Sequence, residues 1–155
     1  MSPVRTPLLI CVLFIAACPG YVRDQVEDRF NVGDDRPVDI LFVVDDSKTM
    51  GPVQEQLAGA ANDFVIAMDV RGIDWQIGVV PTDVEAPARR GRLVGPVLSA
   101  AANDGADELS EALNVGTSGS QFEAGLSAMW SALTPPLSTH DNSGLVRADA
   151  RLTVI

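Results

Sequence analysis

The sequence predicts an α/β fold with a doubly wound, mostly parallel sheet. Two observations carry this. Ile40-Leu41-Phe42-Val43-Val44 is an unbroken apolar run of strand length that ends in Asp45-Asp46-Ser47-Lys48-Thr49. A strand apolar on both faces is covered on both faces, which is the habit of central parallel strands. A helix-period stripe and a second apolar run then follow in β-α-β order. Composition agrees. The 155 residues are 46% hydrophobic and 21% charged, which is globular, and one domain is expected. The net charge of −10 argues against nucleic acid, because phosphate contacts need a basic surface.

Residues 1–17 read as an export signal. Arg5 gives a positive start, Leu8 to Ala17 is an apolar run too short to span a bilayer, and Ala16-Ala17 precede Cys18. Cys11 lies within that run, so Cys18 is expected to be the one cysteine of the mature chain. A lone cysteine in an exported protein makes no internal disulfide and needs another role. Ile15-Ala16-Ala17-Cys18 resembles a bacterial lipobox. That resemblance implies lipidation of Cys18 and anchoring of an exported protein to the outer membrane or cell surface, since several acyl chains hold firmly. Residues 18–36, mostly polar and charged, are expected to be a tether. The domain is expected over 37–155, beginning at Pro37.

After Thr49 a helix is expected, with Pro52 in its first turn and a stripe of Val53, Leu57, Ala60, Ala61, Phe64, Val65 and Met68 ending at Gly72. Asp74 to Val80 reads as a second strand closed by Pro81-Thr82-Asp83. If it runs parallel to the first, Thr82 and Asp83 share a rim with Asp45, chiefly as a turn. Arg89, Arg90 and Arg92 form the basic cluster of the chain and are expected on a solvated loop. Gly91 to Gly95 is a short edge-strand candidate, and Asp104 to Leu113 a helix with Leu109 and Leu113 on one side. Asn114 to Glu123 is a Gly-rich loop in which Ser120 and Glu123 have capping-box spacing. Phe122, Leu126, Met129, Trp130 and Leu133 make the next helical stripe. Pro135-Pro136 stops it, and Ala150 to Ile155 reads as another buried strand. His140 is the one histidine, and no cysteine accompanies it, so neither zinc nor catalysis is read there.

The chemistry concentrates at the end of the first strand, where ligands of such sheets bind. Asp45, Ser47 and Thr49 alternate, so one carboxylate and two hydroxyls can face a common point. All are hard oxygen donors, which suit magnesium, manganese or calcium rather than zinc or copper. Three side chains do not fill such a shell. The plain reading of these residues is a polar turn that caps a helix.

Asp45-x-Ser47-x-Thr49 after an apolar strand resembles the metal-ion-dependent adhesion site (MIDAS) of von Willebrand factor A (vWA) domains, whose usual pattern is Asp-x-Ser-x-Ser. Thr49 departs from it but keeps a hydroxyl, and Lys48 stands where Gly is common. The family's second loop donates a threonine just ahead of a helix, and Thr117 matches that place. The resemblance covers Val38 to Ile155, about two-thirds of the family's domain, so the fold is expected to be incomplete at the C-terminus. The strand begun at Ala150 is then expected to pair with the central strand. The family's further metal-site Asp falls beyond Ile155.

The resemblance implies a surface-anchored binding or adhesion module rather than an enzyme. Its Mg2+ (or Mn2+ or Ca2+), held by Asp45, Ser47, Thr49 and Thr117, would engage a carboxylate of a protein or polysaccharide partner. Two alternatives stand beside it. One is a vWA-like scaffold that binds no metal. The other is a haloacid-dehalogenase-type phosphatase with Asp45 as nucleophile, although Ser47 stands where that family needs an acid/base Asp.

Overall fold

A computed structural model describes residues 36–101, 104–122 and 124–155. The export signal, Cys18, the tether as far as residue 35, and Glu123 of the expected capping box lie outside the described residues.

The elements run β1 (Val38–Val44), α1 (Gly51–Gly59), α2 (Ala61–Asp69), β2 (Trp75–Pro81), β3 (Leu98–Ser99), α3 (Gly105–Leu113), α4 (Gly125–Leu133) and β4 (Arg151–Val154), with a short 3-10 turn at Leu137–Thr139. They form a four-stranded mixed sheet in the order β3-β2-β1-β4. β1 pairs in parallel with β2, from Val38 opposite Trp75 to Val44 opposite Pro81. It also pairs in parallel with β4, from Val38 opposite Arg151 to Leu41 opposite Val154. Only the two-residue β3 runs antiparallel, against β2.

Successive residues of β1 point to opposite faces, and both faces are covered. Ile40, Phe42 and Val44 join Val65, Met68, Leu109 and Leu113 from the helices α2 and α3. Leu41, fully buried, joins Val80, Leu145 and Ala132 of α4 on the other side. That is why the run from Ile40 to Val44 shows no alternation. Each such side chain contributes about 1.5–3 kcal/mol by leaving water.

The helix expected after Thr49 is broken at Ala60 into α1 and α2. Ala58, Ala61, Val65 and Met68 face the core, whereas Val53 is half exposed. Pro52 sits in the first turn of α1, where a missing N–H costs nothing. The Gly91–Gly95 segment is not a strand. It lies near β2 through one bond, Val94 N–H to Val79 O at 2.8 Å, and the edge strand falls at Leu98–Ser99 instead. β4 begins one residue later than expected and is not the buried strand expected: it stands at the end of the strand order, with Leu152, Val154 and Ile155 exposed, and the Leu41–Ile155 and Val43–Ile155 bonds continue its ladder with β1.

α4 is turned differently from its expected stripe. Ala128 and Ala132 are buried, with Met129 and Leu133 beside them, whereas Leu126 and Trp130 point outward. Small alanines let the helix approach the sheet closely. The segment after it is pinned by Asn142, which is buried. Asn142 Nδ2 donates to Gly91 O at 2.7 Å and Ala132 O at 3.1 Å, and its Oδ1 accepts from Leu93 N–H at 3.2 Å.

At the opposite end of the sheet, Asp39 is fully buried. It accepts from Arg147 N–H at 2.6 Å and from Arg147 Nε at 2.8 Å, while Arg147 Nη1 reaches Asp74 at 2.8 Å. A buried carboxylate is tolerated only with such a counter-charge.

Candidate functional site

Three loops meet at the carboxyl ends of β1 and β2. The first, Asp45 to Met50, follows β1. The second, Thr82 to Arg92, follows β2. The third, Asn114 to Ser120, follows α3. The parallel register sets Thr82 and Asp83 beside Asp45 and Asp46, because Val44 faces Pro81.

Asp45 lies on the partly exposed side. Its Oδ1 accepts the Ser47 backbone N–H at 2.7 Å, closing a turn that fixes the carboxylate. Ser47 is half-buried, and Lys48 and Thr49 are exposed. The polar cluster does not cap α1: its N-cap residue is Met50, with no side-chain cap bond. Among the described residues, Asp45 Oδ2 and the hydroxyls of Ser47, Thr49 and Thr117 have no hydrogen-bond partner within the protein. Apart from Asp45 Oδ1, the oxygens that the sequence sets apart are therefore not spent on local structure.

Thr117 comes from the third loop, and two contacts bring that loop to the first. Gln54 of α1, 3% exposed, donates from one Nε2 to Asp45 O at 2.7 Å and to Gly116 O at 2.9 Å. A single amide nitrogen thus touches both the Asp45 and the Gly116 carbonyls. A Cβ on Gly51 would meet Thr117 Cγ2 at 3.5 Å, ordinary van der Waals distance, so the Thr117 side chain sits at the start of α1. A mainly apolar cavity of about 230 Å³ lies beside Asp45, between the end of β1 and α1, with Met50, Leu57 and Ile155 among its walls.

The centre of the three-loop junction is Asp46, which the sequence reading passed over. Its side chain is fully buried. Oδ1 accepts from Thr82 Oγ1 and from Asp83 N–H, each at 3.1 Å, and Oδ2 accepts from Arg89 Nη2 at 2.6 Å. The same Arg89 Nη2 reaches Val115 O at 2.9 Å, and Gly119 N–H donates to Asp46 O at 3.0 Å. All three loops are thereby tied to one residue. Gly119 is required by proximity: a Cβ there would lie 2.5 Å from both Asp46 carboxylate oxygens.

Several expectations are corrected by this arrangement. Arg89 is not a solvated loop residue; it is the counter-charge of Asp46. Arg90 and Arg92 do remain on the outer side of that loop, where Arg92 pairs with Asp141 at 2.5 Å. Thr82 and Asp83 are buried as well as forming a turn, with Asp83 Oδ1 accepting from Glu85 and Ala86 N–H groups. Ser120 does not cap α4, which begins at Gly125. Its hydroxyl donates to Glu85 Oε2 at 2.6 Å and accepts from Phe122 N–H at 3.0 Å.

A signal for the Asp46–Arg89 pair existed in the sequence. Of two consecutive carboxylates after a strand covered on both faces, one is turned inward, and an interior carboxylate needs a cation. The basic cluster one loop away was the available source.

The donor set suits a hard cation: one oriented carboxylate and three hydroxyls, with no sulfur or imidazole. Asp46 is already neutralised by Arg89, so the site offers one carboxylate with an unused oxygen, Asp45. Such a site leaves an ion most of its positive charge. No metal-binding group of three or more His, Cys, Asp or Glu side chains occurs among the described residues. Comparison with family models, with curated proteins and with solved structures found no match to this chain.

Proposed function

We propose that the chain is a vWA-like binding module of the doubly wound type, with a metal-dependent site at the carboxyl end of β1. Asp45, Ser47, Thr49 and Thr117 would hold Mg2+, or Mn2+ or Ca2+ in its place. The bound ion would supply an electrophilic centre for an acidic group of a protein or polysaccharide partner. The residues themselves do the positioning: the Ser47 N–H orients the Asp45 carboxylate, and Gln54 holds the Thr117 loop to the Asp45 loop.

One observation carries this reading. Asp45, Ser47 and Thr49 on one loop, and Thr117 on the loop that Gln54 ties to it, each keep an oxygen without a partner, yet α1 starts without any side-chain cap. A polar turn that served only to begin a helix would spend a hydroxyl or carboxylate on its first N–H groups. The reading is one of binding rather than catalysis, because none of the Ser47, Thr49 and Thr117 hydroxyls is hydrogen-bonded to a carboxylate or imidazole that could serve as its base. Asp46, the second carboxylate of the cluster, is committed to Arg89.

The test is calorimetric titration of the chain with magnesium and manganese. Saturable binding that disappears in Asp45→Ala and weakens in Thr117→Ala is expected. Identical heats for the wild type and Asp45→Ala would overturn the assignment. That outcome would favour the second reading, a metal-free scaffold, for which the Asp46–Arg89 pair is the specific argument: it removes one carboxylate from metal duty.

The surface location belongs to the same proposal. The lipobox-like Ile15-Ala16-Ala17-Cys18 would place an acylated Cys18 at the head of a tether, holding the module on the outer membrane or cell surface. Incorporation of labelled fatty acid that is lost in Cys18→Ser is the expected result.

A further inference from the structure

A second surface lies away from the Asp45 site, and its chemistry differs. The Arg90–Arg92 segment and the C-terminal half of α4 enclose a groove of about 370 Å³ whose walls include Pro87, Arg90, Arg92, Trp130, Pro135 and Leu137. Trp130 is 67% exposed and Leu126, one helical turn before it on the same face, is 80% exposed. Neither belongs to the core, since Ala128 and Ala132 take the inward face of α4. Phe122, 76% exposed, lies on the loop that leads into the helix. Large apolar side chains grouped this way on a soluble surface mark interaction sites, and Trp with Arg is the pairing most enriched where binding energy concentrates.

The polar groups of the groove narrow the occupant. Arg90 uses Nε on Val84 O, and Arg92 uses Nε on Pro87 O and Nη1 on Asp141. Among the described residues, the Arg90 Nη1 and Nη2, the Arg92 Nη2 and the Trp130 indole N–H have no partner within the protein. Every one of these nitrogens is a donor and none can accept. The Thr134 hydroxyl is already committed to Trp130 O at 2.7 Å. The Arg90 guanidinium, which has no carboxylate partner, and the Trp130 N–H are complementary to a carboxylate-bearing ligand, and Arg92 adds Nη2 although its Nη1 already meets Asp141. Leu126 and Phe122 add apolar surface that only apolar side chains would bury, which favours a polypeptide over a glycan.

We infer that this groove, with the outer face of α4, docks a short segment of a partner protein that combines acidic and aliphatic side chains. The carboxylates would meet Arg90 and Arg92, and the aliphatic groups would cover Trp130 and Leu126. The surface is distinct from the metal site, and its occupancy does not require a metal.

The experiment follows the two tryptophan indole signals of the 15N-labelled full chain by NMR. The probe is a Ser/Gly peptide carrying two leucines and a run of glutamates. Trp75 is buried and bonded to Asp69 at 2.9 Å, so its signal reports folding, whereas Trp130 reports the groove. The peptide is expected to shift the Trp130 signal saturably, in the presence of EDTA as well as magnesium, and to leave Trp75 in place. Arg90→Glu should weaken binding about tenfold or more, equivalent to at least about 1.4 kcal/mol, and Leu126→Ser comparably, both read on the Trp130 signal with the Trp75 signal certifying the fold.

Four results would overturn the inference. They are no shift at millimolar peptide, equal binding of a peptide with Gln for every Glu, a shift that follows protein concentration rather than peptide, and a shift abolished by EDTA. The third would make the face a self-association surface, and the fourth would return binding to the metal site. Failure here leaves the magnesium titration unaffected, so the two proposals stand or fall separately.

Discussion

Arg89 donates from Nη2 to Asp46 Oδ2 at 2.6 Å, and Asp46 is wholly enclosed while Arg89 is less than one-third exposed. The carboxylate proposed as the metal ligand, Asp45, is the residue immediately before Asp46, so the buried pair sets the position of the partly exposed one. Removing one member of a buried pair strands the other, which costs about 3–5 kcal/mol. Asp46→Ala is expected to lower unfolding stability by that order, measured by urea denaturation, and Arg89→Met by somewhat less because Arg89 is partly solvated. Should both variants unfold at the wild-type midpoint, the three-loop junction is not held by this pair.

Gly119 tests the same junction without changing any charge. A methyl group there would press into the Asp46 carboxylate, with both oxygens at 2.5 Å, and the Gly119 N–H also holds Asp46 O. The Asp46 carboxylate cannot retreat without straining its Arg89 bond, nor the Gly119 backbone without losing its bond to Asp46 O. Gly119→Ala is expected to cost about 1–3 kcal/mol as an overpacking change. It should also weaken magnesium binding, because the loop it displaces carries Thr117. Thermal unfolding and calorimetry on one preparation would check both effects, and a neutral alanine would mean that the loops adjust independently.

Much of the sheet was legible in the sequence, and the reason is physical. β1 and β2 are buried on both faces, so their apolar runs admit few other readings. The parallel pairing then follows from the helical stripe between them. The turn of α4 was not legible, because Leu126 and Trp130 are as apolar as Met129 and Leu133. Only the tight approach through Ala128 and Ala132 decides which side faces the sheet. The oxygens of Asp45, Ser47, Thr49 and Thr117 were visible as a spacing pattern. Asp46 was not, since its role depends on a counter-charge from a loop 43 positions further along the chain. Spacing within a motif cannot report a partner recruited by tertiary contact.

Gln54 separates the positioning of the site from its chemistry. Its amide donates to the carbonyls of Asp45 and Gly116 and does not belong to the proposed ligand set. Gln54→Leu keeps the bulk and removes the donors, leaving two carbonyls to find water at a largely buried position. A loss of about 1–3 kcal/mol is expected for the unmet hydrogen bonds. Magnesium affinity should fall while the stoichiometry stays the same, since every ligand remains present. Unchanged affinity would show that the Thr117 loop keeps its place without this bridge.

Asp39 and Arg147 offer the last prediction, at the end of the sheet remote from the site. Burial alone would lower the pKa of Arg147, but its hydrogen bonds to Asp74 and Asp39 outweigh that and raise it above the ordinary arginine value. The sign follows from linkage. A cation whose folded pKa exceeds its unfolded pKa stabilises the fold at every pH below the unfolded value, and the contribution is lost only as pH rises through the folded value. For arginine that window lies above the working range, so the Arg147 contribution should stay constant from mildly acidic to mildly alkaline buffer. Arg147→Met should therefore lower stability by about 3–5 kcal/mol, because the wholly buried Asp39 loses its guanidinium partner. Urea unfolding of wild type and variant from mildly acidic to mildly alkaline buffer would check this as a constant gap between the two stability curves. Equal midpoints would mean that Asp39 is satisfied by the Arg147 backbone N–H alone, and that the guanidinium is dispensable to the fold.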